Sequence, residues 1–176
     1  MMPPIRLVDC DARHAPAIRE IFNEVIANST ALYEYAPRSI DTVERWIAAR
    51  LTEARPLVGA EDDSGRLVGF ASYGMFRPFP AYKYTVEHSV YVAADSRGKG
   101  VGRLLLSSLT ERAMSREVRV MVGGIDAANV ASIAMHRSLG FTHAGTIRQA
   151  GWKFGRWLDL EFWQRVLPGP LSPTDG

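Results

Sequence analysis

The sequence is poor in cysteine and in long apolar runs, and both shortages exclude classes of protein. Its 176 residues include a single cysteine, Cys10, so no disulfide can form within one chain. No apolar run reaches the roughly 18 residues that a membrane-spanning helix needs. The nine residues before Cys10 lack the apolar centre of a secretory signal. We therefore expect a reducing compartment, the cytoplasm, and no membrane partner.

The chain also has little excess of charge of either sign. The formal net charge of +2 is too small to indicate a nucleic-acid partner, although it permits a local basic pocket for an anionic cofactor. A hydrophobic fraction of 47% with 23% charged residues is typical of a globular protein with a core. We expect one domain over residues 1–166 and a disordered tail over residues 167–176.

Periodicity and turn residues predict the order β α α β β β α β α β β. Hairpins come first and crossovers later, which favours an α/β fold with a mixed central sheet flanked by helices. Asp41 is expected to cap the second helix, with Glu44 completing a capping box. The predicted helices are 15–28, 42–54, 100–116 and 129–139. The predicted strands are 5–8, 57–60, 67–73, 84–92, 118–122, 141–144 and 157–164.

The most informative stretch is a glycine-rich turn between a strand and a helix, VYVAADSRGKGVGRLLL. Its alternate glycines, Gly98, Gly100 and Gly102, remove side chains where backbone N–H groups could approach a ligand. A helix N-terminus adds unsatisfied donors and a positive dipole end, which together favour a pyrophosphate. Positive charge comes from Arg97, Lys99 and Arg103.

Two other nucleotide motifs compete with this interpretation. A P-loop needs GxxxxGK followed by Ser or Thr, and that motif is absent. A dinucleotide fold needs GxGxxG, and here the third glycine comes one residue early. Asp126 lies near the spacing of a ribose-binding acid, but too few residues follow it for a second nucleotide-binding half.

The segment Arg97–Gly102 matches the R/Q-x-x-G-x-G/A motif of the GNAT N-acetyltransferases, and the chain resembles that family over residues 5–164. The blocks TVEHSVYV, ASIAMHRSLGF and KFGRWLDL resemble the phosphinothricin and methionine sulfoximine acetyltransferase subfamily. The resemblance implies a GNAT fold, acetyl-CoA as cosubstrate, no metal, a small amino-acid-like acceptor and a homodimer. The residues expected to bind acetyl-CoA are Val90, Tyr91, Val92, Arg97, Gly98, Lys99, Gly100, Val101, Gly102, Arg103, Asn129 and Ser132.

Glu87 is an acid in the middle of a strand of strong β-formers. Burying it unpaired is costly, so the residue pattern leaves two interpretations, a salt bridge or a functional carboxylate. Amine acetylation requires a neutral amine, and an α-amino group is largely protonated at neutral pH. A carboxylate could accept that proton, directly or through water. The resemblance places Glu87 at the position of the family's proposed general base.

Asn129, Ser132 and His136 share one face of the last predicted helix, which is either a solvated face or part of a site. By resemblance, Asn129 contacts the pantetheine arm. His136 stands where many GNAT enzymes carry a tyrosine that protonates the leaving thiolate. Imidazole can transfer a proton in either direction near neutral pH, so acid and base roles both stay open.

The loop GMFRPFPAYKYT is the candidate acceptor loop. Arg77 could form two parallel bonds with a substrate carboxylate, or it could be solvated. Trp152 and Lys153 could face the acceptor or a subunit interface. A peptide or protein N-acetyltransferase and a non-catalytic nucleotide-binding sensor are the alternative functions, although a sensor needs neither Glu87 nor His136. The residues expected to line the acceptor site are Arg77, Pro78, Phe79, Glu87, His88 and Ser89.

Overall fold

The computed structural model describes residues 4–175, and its helices and strands follow the predicted order. Short 3-10 turns occupy Ala12–His14, Pro80–Tyr82 and Ala94–Ser96. The helices are α1 Ala15–Asn28, α2 Ile40–Thr52, α3 Val101–Met114 and α4 Val130–Ser138. The strands are β1 Arg6–Asp9, β2 Leu57–Glu61, β3 Leu67–Met75, β4 Thr85–Val92, β5 Val120–Asp126, β6 Thr142–Lys153 and β7 Arg156–Val166.

The strands form one seven-stranded sheet in the order β1-β2-β3-β4-β5-β7-β6. β4 and β5 run parallel, whereas β1–β2, β2–β3, β5–β7 and β6–β7 are antiparallel pairs. The prediction of a mixed sheet is therefore confirmed. Within residues 4–175, no helix has both the length and the apolarity to cross a bilayer.

Close contacts divide the chain into two compact units. The first contains the described residues up to Ser72 together with Ser89–Leu109. Its core centres on Phe22 of α1, whose ring lies 4.9 Å from that of Phe70 and 5.2 Å from that of Tyr91, between centroids. The buried residues of α1, Phe22 among them, recur at three- and four-residue spacing. The helix therefore directs one apolar face at this cluster.

Cys10 belongs to the same core. Its side chain is buried among apolar neighbours, with 2% of the residue exposed. Burial, with a smaller contribution from the nearby Asp11 carboxylate, raises the pKa of the Cys10 thiol to about 12. The thiol is therefore protonated and enclosed at neutral pH.

The second unit contains Tyr73–His88 and the residues from Thr110 onward. Its centre is the β5–β7 ladder, in which Met121 is fully buried, and Leu158 of β7, opposite Gly151 of β6, is fully buried as well. The segment after β7 contacts this unit: the Leu167 N–H donates to the Arg119 carbonyl at 2.8 Å. The domain boundaries and the disorder of the tail stay predictions.

Two local predictions are wrong. The side chain of Ser39, and not of Asp41, caps α2 by accepting from the Thr42 N–H at 3.2 Å. Asp41 instead lies in the first turn, where its charge favours the positive end of the helix dipole. β6 is also far longer than the predicted 141–144, because it continues to Lys153 and joins β7 through a two-residue turn. Phe154 and Gly155 form that turn with φ of +50° and +72°.

Candidate active site

Glu87 is half-buried on β4, beside the parallel strand β5. The strand register pairs Glu87 with Val122, and its carboxylate lies 3.3 Å from where a Cβ on Gly124 would stand. Burial raises the pKa of Glu87 above the ordinary carboxylate value, and the positive charge of Arg77 partly offsets that rise. Within residues 4–175, Glu87 has no salt bridge and no side-chain hydrogen-bond donor, so its carboxylate is available to accept a proton.

His88 and His136 form a stacked pair in the interior of the second unit. Their Nε2 atoms are 3.2 Å apart, and the ring of Phe141 packs edge-on against both imidazoles. The Nδ1 atom of His136 lies 2.7 Å from the Ser132 carbonyl oxygen. Burial lowers the pKa of both histidines, that of His88 to about 3. His88 was expected to line the acceptor site, but its side chain is buried against His136.

The start of α4 is built around two polar side chains. Asn129 is the N-cap, and its side-chain oxygen accepts from the Ser132 N–H at 3.1 Å. Asp126, at the end of β5, is buried, accepts from the Ala128 N–H and pairs with Arg156 at 2.8 Å. Asp126 therefore anchors the β5–α4 connection, and the dinucleotide alternative loses its ribose-binding acid.

The glycine-rich turn belongs to the first unit and is exposed. Gly98 and Gly100 have φ of +72° and +80°, a region that disfavours side chains, and a Cβ on Gly98 would meet nothing within 4 Å. Val101 is buried and anchors the first turn of α3. The helical bonds begin with the Leu104 N–H donating to the Gly100 carbonyl at 3.0 Å. The N–H groups of Val101 and Gly102 precede that bond, so they have no carbonyl partner within the helix.

This turn fits a pyrophosphate, since it offers backbone donors, open space and exposed cations together. Arg97 is partly committed elsewhere, because its guanidinium pairs with Glu24 and its Nε donates to the Val92 carbonyl at 3.0 Å. Lys99 is exposed beside the glycines. Arg97 therefore also holds the turn against α1 within this unit.

The loop before β4 presents several exposed groups. Arg77 is exposed, and its guanidinium carbon lies 5.3 Å from the centroid of the Phe76 ring. Pro78 is exposed as well, and Phe79 is 64% exposed. Of the acceptor-site candidates, Arg77 acts on Glu87: its positive charge lowers the pKa of the Glu87 carboxyl. Ser89 belongs to the other unit.

The other two candidates, Trp152 and Lys153, are neighbours on the β6–β7 hairpin but differ in exposure. Trp152 is 47% exposed and contacts the Trp157 ring at 5.1 Å between centroids. Lys153 is buried, and its ammonium lies 5.0 Å from the Phe154 ring. Both residues lie at the turn end of the hairpin, where Lys153 pairs with Arg156 across the strands.

Gly123 lies beside the histidine pair and was not among the residues predicted for the site. A Cβ there would stand 2.7 Å from the Nε2 atom of His88 and 3.2 Å from that of His136, so the absence of a side chain makes room for both rings. The signal was present, since a glycine inside a strand often marks close approach by another group. Among residues 4–175, no group of three or more His, Cys, Asp or Glu side chains is arranged to hold a metal ion.

Comparison with known proteins identifies the family. Residues 8–162 match the family model described as an acetyltransferase (GNAT) domain. The L-methionine sulfoximine/L-methionine sulfone acetyltransferase of Pseudomonas paraeruginosa is 45% identical over 159 residues, which cover 90% of this chain and 92% of that one.

Two solved structures share the fold closely. A GNAT superfamily phosphinothricin acetyltransferase from Sinorhizobium meliloti, in complex with AcCoA, is 37% identical with a TM-score of 0.92, covering 100% of this chain and 95% of that one. A ribosomal-protein-alanine N-acetyltransferase from Brucella melitensis is 42% identical with a TM-score of 0.90, and the match covers 92% of this chain and 99% of that one. The predicted fold and enzyme class are thereby confirmed: the chain belongs to the GNAT family and is an acetyl-CoA-dependent N-acetyltransferase.

Proposed function

We propose that this enzyme acetylates the α-amine of a small amino-acid-like acceptor of the methionine sulfone, methionine sulfoximine or phosphinothricin type. The observation that carries the proposal is the half-buried Glu87 carboxylate, which has a raised pKa and no hydrogen-bond donor among the described side chains. Relatives named for these acceptors, at 40–45% identity over most of the chain, support the acceptor class.

In this proposal Glu87 accepts the proton of the substrate ammonium, so that the amine becomes a nucleophile. Acetyl-CoA supplies an acetyl group activated as a thioester. The glycine-rich turn and Lys99 hold the anionic end of the cosubstrate through backbone N–H groups and charge. The negative charge that develops on the thioester oxygen needs a hydrogen-bond donor, and a backbone N–H group within Val90–Val92 is our candidate for it.

The acceptor class can be tested with purified enzyme and acetyl-CoA by following the release of free thiol. L-Methionine sulfone, L-methionine sulfoximine and phosphinothricin should each be acetylated, whereas their N-methylated or α-deamino analogues should not. A peptide that begins with alanine belongs in the same screen, because the Brucella relative is named for that acceptor type. Faster turnover of the peptide than of every free amino acid would replace the small-acceptor proposal with the peptide alternative.

Arg77→Ala should lower kcat/KM for an amino-acid acceptor by roughly tenfold to a hundredfold. Arg77 is exposed and close enough to lower the pKa of Glu87, so one small substrate could present its carboxylate to Arg77 and its amine to Glu87. A hydrogen bond to a charged group contributes about 1.5–3 kcal/mol, and each ~1.4 kcal/mol is tenfold in rate. The measurement compares the acid with its carboxamide in wild type and variant.

The loss should be smaller for the carboxamide, which has no charge to pair. Lys83→Ala is the matched control, because Lys83 is an exposed cation of the same loop that contacts Tyr84 and Thr174. Equal losses for the acid and its amide would make Arg77 structural and move carboxylate recognition to another residue, with Lys153 as the next candidate.

Assembly as a homodimer and a cytoplasmic location are the remaining parts of the proposal. The β6–β7 hairpin supports the first, because it carries several large exposed apolar side chains. Sedimentation should therefore give about twice the chain mass of 19.5 kDa. The exposed apolar residues of the hairpin are Ile147, Trp152, Phe154 and Trp157.

A further inference from the structure

The proton positions of the buried histidine pair follow from its geometry. The Nδ1 atom of His136 lies 2.7 Å from the Ser132 carbonyl oxygen, and a carbonyl oxygen can only accept a hydrogen bond. Nδ1 of His136 therefore carries a proton. Because burial lowers the pKa of His136 below the ordinary imidazole value, the ring is neutral at neutral pH and its Nε2 atom holds a lone pair.

That lone pair determines the state of His88. The two Nε2 atoms are 3.2 Å apart, and two unprotonated nitrogens at this distance would place their lone pairs against each other. The Nε2 atom of His88 is therefore the donor, and its Nδ1 atom is unprotonated. Nδ1 of His88 is buried without a hydrogen-bond partner in the described part of the chain, so nothing there opposes this tautomer.

Neighbouring groups hold the two rings in contact without adding charge. Phe141 packs edge-on against both imidazoles, and Gly123 leaves the space that a Cβ would take from the two Nε2 atoms. Glu87, next to His88 on β4, directs its carboxylate toward Gly124.

We propose that His88 is a positioning residue for acetyl transfer, which donates its Nε2–H to His136 and holds that ring as the neutral Nδ1–H tautomer. A proton could reach Nε2 of His136 only if His88 moved its own proton to the buried Nδ1 or turned away. His136 is therefore not the base that takes the amine proton, and that task falls to Glu87. The tautomer assignment does not depend on the proposed function, whereas the role of His88 in catalysis rests on it.

Long-range ¹H–¹⁵N spectra of the full-length protein with labelled histidine test the tautomers directly. We expect His136 protonated at Nδ1 and unprotonated at Nε2, and the reverse for His88, throughout the range from about pH 7 to 8, above the ordinary imidazole pKa. Gly123→Ala should separate the rings and change both sets of signals. The same tautomer in both rings, or an imidazolium in either ring within this range, would overturn the proposal.

Kinetics test the positioning role. His88→Leu removes the donor and should lower kcat about three- to tenfold, with KM for acetyl-CoA unchanged. His88→Gln keeps an amide N–H that can donate in the same place, and it should recover most of the rate. His143→Gln is the control, since His143 is exposed and bonds to Thr146.

Equal losses in the leucine and glutamine variants, or an unchanged kcat in His88→Leu, would contradict the role. If the wild type acetylated none of the proposed acceptors, the proposed function would fail while the spectra still decided the tautomers. The two failures are therefore distinguishable.

Discussion

Glu87→Gln is expected to lower kcat/KM by about 10²–10⁴-fold at neutral pH, the usual cost of removing a general base. Glutamine preserves the shape of the side chain but cannot accept the proton of the ammonium. The loss should shrink as the pH rises, because the α-amine then loses its proton to water without help. Steady-state rates from pH 6 to pH 10, about four pH units around the α-amine pKa, provide the measurement.

The pH dependence of kcat/KM in the wild-type enzyme tests the role of Glu87 independently. Burial raises the pKa of Glu87, so kcat/KM should fall on the acid side at a higher pH than an ordinary carboxylate would cause. Activity is present above that raised pKa and is lost as the pH falls through it, because the protonated carboxyl group cannot accept the proton of the ammonium. Arg77→Ala should move this acid limb higher still, since Arg77 lowers the pKa of Glu87.

Glu44→Gln serves as the control for the Glu87 substitution. Glu44 is exposed on α2, and its replacement makes the same chemical change without touching β4. Full activity of Glu87→Gln at neutral pH would exclude Glu87 as the base and point to solvent or another group.

Gly98→Val is expected to weaken acetyl-CoA binding by more than about tenfold, since a lost phosphate hydrogen bond costs about 1.5–3 kcal/mol. The turn at Gly98 is open, so a valine side chain would stand where an anion approaches the backbone. Positive φ at Gly98 adds strain that lowers stability as well. Calorimetric titration with coenzyme A, together with urea unfolding, separates the two effects.

Gly65→Val is a closely matched control. Gly65 has φ of +80° in the β2–β3 hairpin turn, and a Cβ there also meets nothing within 4 Å. Both variants should lose similar unfolding free energy, but only Gly98→Val should lose affinity. A Gly98→Val protein that binds coenzyme A as tightly as the Gly65→Val protein would remove the turn from the binding site.

The helices and central strands could be predicted because their apolar residues keep a regular period. The predicted bounds of α1 coincide with the structure, since its buried side chains recur at three- and four-residue spacing. β6 could not be predicted, because its alternation is interrupted. Its pairing with β7 shifts between His143 and Gly145 and again between Ile147 and Gly151.

The acid on β4 could be singled out from sequence, because a carboxylate among β-formers is conspicuous by type alone. The histidine pair could not. His88 and His136 are 48 residues apart, and nothing in their spacing shows that β4 and α4 bring the rings together. The role of Asp126 was hidden for the same reason, since its partner Arg156 follows 30 residues later.

The burial of Cys10 makes the protein's single thiol a reporter of local unfolding. Thiol reagents attack the thiolate, and Cys10 is enclosed in the first unit with its pKa raised to about 12. Labelling therefore requires that the core around Cys10 opens, and the labelling rate measures the population of opened molecules. Thiol released during turnover can likewise be detected in the presence of folded enzyme without a background from the protein itself.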